Sequence, residues 1–148
     1  MIRSAVAIWR GSPGAGEGSV STTSGIMSKA LYSFGSATGN EPCTSPSEML
    51  AAAVAACMSL MLAQELAKLG IRNDYIRTES ELILEEHKGR RTIKEVELHV
   101  TTDLPESESE KFHKACKSAK TKCLITYALK VPIKLDVMLE PEAFATPA

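Results

Sequence analysis

Two cysteines occupy positions where a thiol could take part in chemistry, Cys57 and Cys123. Cys57 lies in the middle of a long apolar stretch, and Cys123 follows a stretch with the pattern of a second helix. A thiolate is a nucleophile and a thiol can be oxidised reversibly, so a pair of such residues suits redox chemistry. Most buried free cysteines, however, are small apolar packing residues. Local sequence alone therefore favours a packing role for Cys57, and a nucleophilic thiolate is the alternative.

The stretch from Pro46 to Gly70 predicts one long helix that carries Cys57. Ser45 is a good N-cap, a proline suits the first helical position, and Glu48 completes a capping box three residues after Ser45. Cys57 then lies about 17 Å from the start of the helix, beyond the first turn in which the helix dipole acts. A positive charge that lowers the pKa of Cys57 must therefore come from elsewhere in the fold or from a partner chain.

This helix has no clear polar face, because only Ser59 is distinctly polar between Met49 and Ala63. A helix that is apolar on all sides has to be covered on all sides. The apolar run is shorter than the roughly 20 residues of a membrane span, which favours a core helix. Since one sheet cannot surround it, we expect a second copy of the chain to pack its own long helix here, as a homodimer.

The rest of the chain predicts an α+β fold in one domain, 1–148, with a mainly antiparallel sheet, because strands and helices do not alternate as in βαβ units. An N-terminal three-strand meander precedes the long helix, a hairpin follows it, and a second helix with a capping box at Ser107 and Glu110 leads to a last strand. The predicted strands are 2–10, 19–23, 29–36, 75–87, 91–102 and 131–139, and the later helical segments are 105–122 and 124–129.

The composition excludes several classes of protein. With 17 basic and 18 acidic residues, the chain has no charge excess that would attract nucleic acid. The first ten residues are too weakly apolar for a signal peptide, so we expect a cytoplasmic protein. Cytoplasmic cysteines are mostly reduced, and the four cysteines are not taken as structural disulfides. Cys43 is interpreted as a bystander in a loop and Cys116 as a core residue of the second helix.

A metal site and a cysteine nucleophile at position 123 are both disfavoured by the sequence. His113, Cys116 and Cys123 lack the paired CxxC spacing of zinc sites, so no metal and no cofactor are expected. Cys123 follows the C-terminus of a helix, where the dipole disfavours a thiolate. A resolving role asks less of it, since Cys123 need only condense with an oxidised Cys57. Glu48 is out of phase with Cys57 on the helix and could pair with it only across a dimer.

The sequence resembles the osmotically inducible protein C (OsmC) and organic hydroperoxide resistance superfamily, and more closely its OsmC branch. Three features carry the resemblance: the run from Gly18 to Gly25, the run from Thr44 to Cys57, and Cys123 at the end of the second helix. It implies an intertwined dimer around two long central helices. It also implies that Cys57 is the peroxidatic residue of a hydroperoxide reductase, that Cys123 resolves it as a disulfide, and that a small dithiol of the dihydrolipoamide kind is the reductant.

Two positions depart from the pattern of this superfamily. The superfamily places an arginine in the loop before the strand that begins near Gly18, and this loop contains none. The acid expected ten residues before the cysteine is Ser47 here, and Glu48 stands next to it. Arg10 is the nearest substitute for the arginine, and an exposed charge at a strand end is the alternative interpretation. Glu48 and Arg10 are therefore candidate partners of Cys57.

The resemblance implies a thiol-dependent peroxidase that prefers organic hydroperoxides, with a role in detoxification and stress. The apolar neighbours Val54, Met58 and Met61 are expected to suit alkyl substrates. The alternative is a dimer with weakened catalysis that binds a small hydrophobic ligand, which the missing arginine motivates. A general thiol–disulfide oxidoreductase is a weaker possibility, because the sequence has no CxxC on a βαβ unit.

Overall fold

The computed structural model describes residues 1–33 and 42–141. Their contacts divide into two compact units, Met1–Leu50 and the chain from Ala51 onward, so a single domain stays a prediction. The strands are β1 Ala5–Arg10, β2 Glu17–Thr22, β3 Ala30–Tyr32, β4 Ile76–His87, β5 Arg90–Thr102 and β6 Ile133–Leu139, and the helices are α1 Pro46–Lys68, α2 Ser109–Lys122 and α3 Leu124–Leu129.

The first unit contains the predicted three-strand meander. β1 pairs with β2 and β2 with β3, both antiparallel. β3 is shorter than the predicted 29–36, of which 34–36 lie outside the described residues. Gly18 on β2 lets the ring of Tyr32 approach, because a Cβ at Gly18 would lie 2.5 Å from that ring. The glycine in this strand therefore serves close packing across the sheet.

The second unit contains a three-stranded sheet in the order β4-β5-β6. The predicted hairpin is confirmed. Lys88 and Gly89 both have positive φ, 52° and 74°, as a two-residue type I′ turn requires. β6 pairs parallel to β5, which the sequence did not predict. A parallel neighbour needs a crossover connection, and α2 and α3 supply it.

The core of the second unit lies between one face of α1, this sheet and α2. On α1, Val54, Met58, Leu62 and Leu66 are fully buried at helical spacing. Ser59, the polar residue of the apolar run, donates a hydrogen bond to the Thr78 hydroxyl at 2.8 Å. The side of α1 away from this core is exposed and apolar, with Ala52, Ala56, Leu60, Ala63 and Ala67.

The α1 helix is 23 residues long and is apolar enough to cross a membrane by length and composition, with a mean hydropathy of 1.7 over an 18-residue window. The expectation that it is too short for a span is therefore wrong. Core helices of soluble proteins pass the same test. The buried stripe against the sheet fits a core helix.

The second predicted helix is divided in two. A short 3₁₀ turn, Glu106–Glu108, precedes α2, and Glu108 is the N-cap without a side-chain hydrogen bond. The predicted capping box at Ser107 and Glu110 is therefore wrong. Its apolar stripe is confirmed, and it consists of the buried residues Phe112, Ala115, Cys116 and Ala119.

Candidate active site

The second unit brings Cys57 and Cys123 together. Their thiols lie within hydrogen-bonding reach of each other, and both are free. Cys57 is half-buried, whereas Cys123 is 0% exposed. Of these two residues, only Cys57 is accessible to solvent in this chain.

The junction of α2 and α3 holds Cys123 in place. Its N–H donates to the Ala119 carbonyl at 2.9 Å, which closes the last turn of α2, and its carbonyl accepts from the Tyr127 N–H at 3.1 Å, which opens α3. The Thr126 hydroxyl lies within hydrogen-bond distance of the carbonyls of Lys120, at 2.9 Å, and Cys123, at 3.1 Å. Cys123 is thus both the C-cap of α2 and the N-cap of α3.

This double position changes the electrostatics expected for Cys123. Burial raises its pKa, but the hydrogen bonds from Cys57, from the N–H and hydroxyl of Thr126 and from the Ile125 N–H outweigh burial and lower the pKa below its ordinary value. The expectation of a poor thiolate considered only the C-terminus of α2 and not these donors. The helical turn predicted at 124–129 indicates that backbone N–H donors follow Cys123.

The pKa of Cys57 moves in the opposite direction. Burial raises it, and so does the neighbouring Cys123 sulfur, while the backbone N–H groups of Ile125 and Leu124 lower it less. Among the described residues, the groups that act most on this pKa include no arginine or lysine. The two sulfurs share a proton, so their ionisation belongs to the pair.

The three apolar residues expected around Cys57 differ in their positions. Val54 and Met58 are fully buried in the core, so they face away from solvent. Met61 is partly buried and packs on that core.

Glu48 and Arg10 lie in the first unit. Glu48 forms the predicted capping box: its N–H donates to the Ser45 hydroxyl at 3.2 Å, and its carboxylate accepts from the Ser45 N–H at 3.2 Å and the Thr44 hydroxyl at 3.0 Å. Arg10 ends β1 opposite Glu17. Its side chain has no ion pair or hydrogen bond within 1–33 and 42–141. A role for either residue at Cys57 stays a prediction.

The other two cysteines and the possible metal ligands do not belong to the Cys57–Cys123 pair. Cys116 is fully buried, and burial raises its pKa to about 12, which fits a packing residue. Cys43 and Ser33 are hydrogen-bonded at 3.2 Å. Within the described residues, three possible metal ligands, Glu81, Glu97 and His99, lie close together on the outer face of the sheet. The residues considered from the sequence, His113, Cys116 and Cys123, do not form such a group.

Comparisons with known proteins identify the family. The family model described as OsmC-like protein matches residues 38–138. The peroxiredoxin OsmC of Escherichia coli strain K12 is 31% identical over 132 residues, which cover 89% of this chain and 92% of that relative.

Solved structures share the fold at lower identity. An OsmC-like protein of unknown function from Vibrio cholerae superposes with a TM-score of 0.77 at 18% identity, over 93% of this chain and 99% of that one. The organic hydroperoxide resistance protein OhrB of Bacillus subtilis gives 0.65 at 23% identity, over 93% and 98%. The predicted OsmC-like α+β fold is thereby confirmed, and the chain belongs to the OsmC-like protein family.

Proposed function

We propose that this protein is a cysteine-based peroxidase that reduces organic hydroperoxides, and hydrogen peroxide less well, as a cytoplasmic homodimer in a detoxification or stress response. The pairing of an accessible Cys57 with a buried Cys123 within hydrogen-bonding reach carries this proposal. The names of two similar proteins support it, since one is a peroxiredoxin and another an organic hydroperoxide resistance protein.

In the first step, the Cys57 sulfur attacks the outer oxygen of the hydroperoxide. An S–O bond forms, the O–O bond breaks, and Cys57 becomes a sulfenic acid while the alkoxide leaves and takes a proton from water. The Cys57 thiol loses its proton to solvent water as the S–O bond forms.

In the second step, Cys123 resolves the sulfenic acid. Its sulfur attacks the Cys57 sulfur, an S–S bond forms, the S–O bond breaks, and the hydroxide leaves with the Cys123 proton as water. A small dithiol of the lipoyl type then exchanges with this disulfide, restores both thiols and becomes a cyclic disulfide.

The decisive experiment follows the consumption of cumene hydroperoxide with a dithiol reductant. With the dithiol present, we expect turnover in the wild-type protein and none in Cys57→Ser. Without the dithiol, we expect Cys123→Ser to consume one equivalent of hydroperoxide and to hold a sulfenic acid that a dimedone probe traps. Cys116→Ser is the matched control, because this cysteine is fully buried and lies outside the pair. Undiminished turnover in Cys57→Ser would overturn the proposal.

A second candidate function is the binding of a small apolar molecule. The first unit has a cavity of about 400 Å³, lined by Trp9, Pro13, Tyr32, Ser33 and Pro46. This cavity favours a ligand-binding role that needs no cysteine. Quenching of the fluorescence of Trp9, the one tryptophan of the sequence, by an apolar ligand, together with no hydroperoxide consumption by the wild-type protein, would favour this candidate over the peroxidase.

A further inference from the structure

Glu65 is a buried acid on α1 with an unusual number of partners. Its side chain is only 11% exposed. Its carboxylate accepts from Lys122 Nζ at 2.8 Å to each oxygen, from Ser118 Oγ at 2.7 Å and from Lys68 Nζ at 2.6 Å. The lysine and serine hydrogen bonds hold its pKa at about 2, so it is charged at neutral pH.

The partners of Glu65 connect the two elements that carry the cysteines. Glu65 follows Cys57 by about two turns of α1. Lys122 is the last residue of α2 and directly precedes Cys123, and Ser118 lies one turn earlier. Lys68, in contrast, belongs to the same helix as Glu65, so its ion pair does not connect α1 to α2.

We propose that Glu65 is a positioning residue that holds the end of α2 against α1 through Lys122 and Ser118, and so keeps Cys123 within reach of an oxidised Cys57. This inference rests on the proposed peroxidase function. It assigns Glu65 to the resolving step and not to the attack on the hydroperoxide.

The chemistry gives this role a measurable consequence, because the Cys57 sulfenic acid has two competing fates. Attack by Cys123 gives the disulfide and water. Attack on a second hydroperoxide breaks its O–O bond, adds an oxygen to the Cys57 sulfur and gives a sulfinic acid and an alcohol, which is irreversible without a dedicated repair enzyme. Only the second reaction depends on the hydroperoxide concentration. A displaced Cys123 therefore shifts the product toward the sulfinic acid.

The experiment measures the fraction of sulfinic acid at Cys57 by intact-protein mass spectrometry across a series of cumene hydroperoxide concentrations, with a dithiol present. In Glu65→Gln and Lys122→Met we expect half of the protein to reach the sulfinic state at about tenfold less hydroperoxide than in the wild type, because a small displacement of a reacting group costs one to two orders of magnitude in rate. The rate of sulfenic acid formation should stay within about twofold of the wild type.

Two variants control for lost ion pairs. Lys68→Met removes a partner of Glu65 but leaves the connection to α2, and Glu95→Gln breaks the 2.8 Å pair with Lys134 on the sheet. Both should behave as the wild type. A purely structural role for Glu65 would change the unfolding temperature without changing this partition. If Glu65→Gln does not fold, Lys122→Met and Ser118→Ala carry the same test.

The outcomes separate the two proposals. A wild-type protein that forms no disulfide between Cys57 and Cys123 contradicts the proposed function. The positioning role alone is overturned if the wild-type protein forms this disulfide and Glu65→Gln and Lys122→Met give the same fraction of sulfinic acid as the wild type. A shift in Lys68→Met equal to that in Lys122→Met would also overturn it.

Discussion

The sulfur atoms of Cys57 and Cys123 differ in solvent access and in the direction of their pKa shifts. Cys57 is open to solvent but its pKa is raised, whereas Cys123 is buried and its pKa is lowered by the donors of α3 and by Cys57 itself. Each sulfur therefore changes the chemistry of the other. Removing one member of the pair should shift the pKa of the one that remains.

The first prediction concerns these two pKa values. In Cys123→Ala the pKa of Cys57 should fall below its wild-type value, because the neighbouring sulfur that raises it is gone. In Cys57→Ala the pKa of Cys123 should rise, because a hydrogen-bond donor to its thiolate is lost. Ultraviolet thiolate absorbance against pH, in a background without Cys43 and Cys116, measures both. Shifts in the opposite directions would contradict the shared proton.

The sequence predicted the two cysteines of this site but not the residues that tune them. Cys57 and Cys123 stand out because each has a distinctive place relative to a helix. The donors of Ile125 and Thr126 are backbone groups and a hydroxyl, and their direction depends on the turn at Cys123. Glu65 lies near the polar end of α1, where an acid is usually solvated. Only tertiary packing shows that Lys122 and Ser118 meet it.

At the level of elements, the carboxylate of Glu65 connects α1 to α2, and it loses its charge in acid. The pKa of Glu65 is depressed to about 2 from an ordinary 4.5. A group with a depressed pKa contributes stability that is complete above its unfolded pKa and is lost as the pH falls through its folded pKa. The contribution of Glu65 is thus present at neutral pH and disappears between about pH 4.5 and pH 2.

The second prediction is that Glu65→Gln lowers the urea midpoint of unfolding at neutral pH and makes stability less dependent on pH in this acid range. The reason is that glutamine cannot gain or lose the proton that causes the dependence. Urea unfolding at a series of pH values measures the effect. The exposed Glu110→Gln, which leaves Glu65 and its partners intact, should keep the wild-type dependence. An unchanged acid dependence in Glu65→Gln would contradict the assignment.

The third prediction concerns the meander of the first unit. In Gly18→Ala the new methyl group would overlap the Tyr32 ring, which packs at 5.9 Å from the Trp9 ring. Overpacking of this kind costs about 1–3 kcal/mol. Gly14→Ala meets no atom within 4 Å and is the matched control. Thermal unfolding followed by Trp9 fluorescence measures the difference. Equal stability of both variants would contradict the close packing.

Elements with a strong local pattern were predicted well, and those fixed by distant contacts were not. The α1 helix and the β4–β5 hairpin follow from capping residues, alternation and a two-residue turn. The parallel pairing of β6 with β5 depends on where the α2–α3 crossover returns the chain, which no local pattern encodes. The 3₁₀ turn before α2 likewise replaced a plausible capping box at Ser107 and Glu110.

At the level of the whole molecule, one face of α1 is exposed and apolar. It presents a stripe of small and apolar side chains at helical spacing, and Leu60 in its middle is 60% exposed. A helix with apolar side chains on both faces is usually covered on both. The predicted homodimer would cover this stripe with the α1 of a second copy, and the small alanines allow two helices to approach closely.

The fourth prediction tests this surface. The wild-type protein should sediment at about twice the 15.9 kDa of the chain, and Leu60→Glu at the mass of one chain, because a buried unpaired carboxylate costs several kcal/mol. Met138→Glu is the control: Met138 is 53% exposed and lies on the outer face of β6, so it should leave the mass unchanged.

The same Leu60→Glu variant tests whether the partner chain activates Cys57. Within the described residues, no basic group is among the main influences on the pKa of Cys57, so the predicted cation would come from the partner chain and would be lost on dissociation. Leu60→Glu should then react more slowly with hydroperoxide at Cys57. A wild-type protein that sediments as one chain, with Leu60→Glu equally active, would show that the site is complete without a partner.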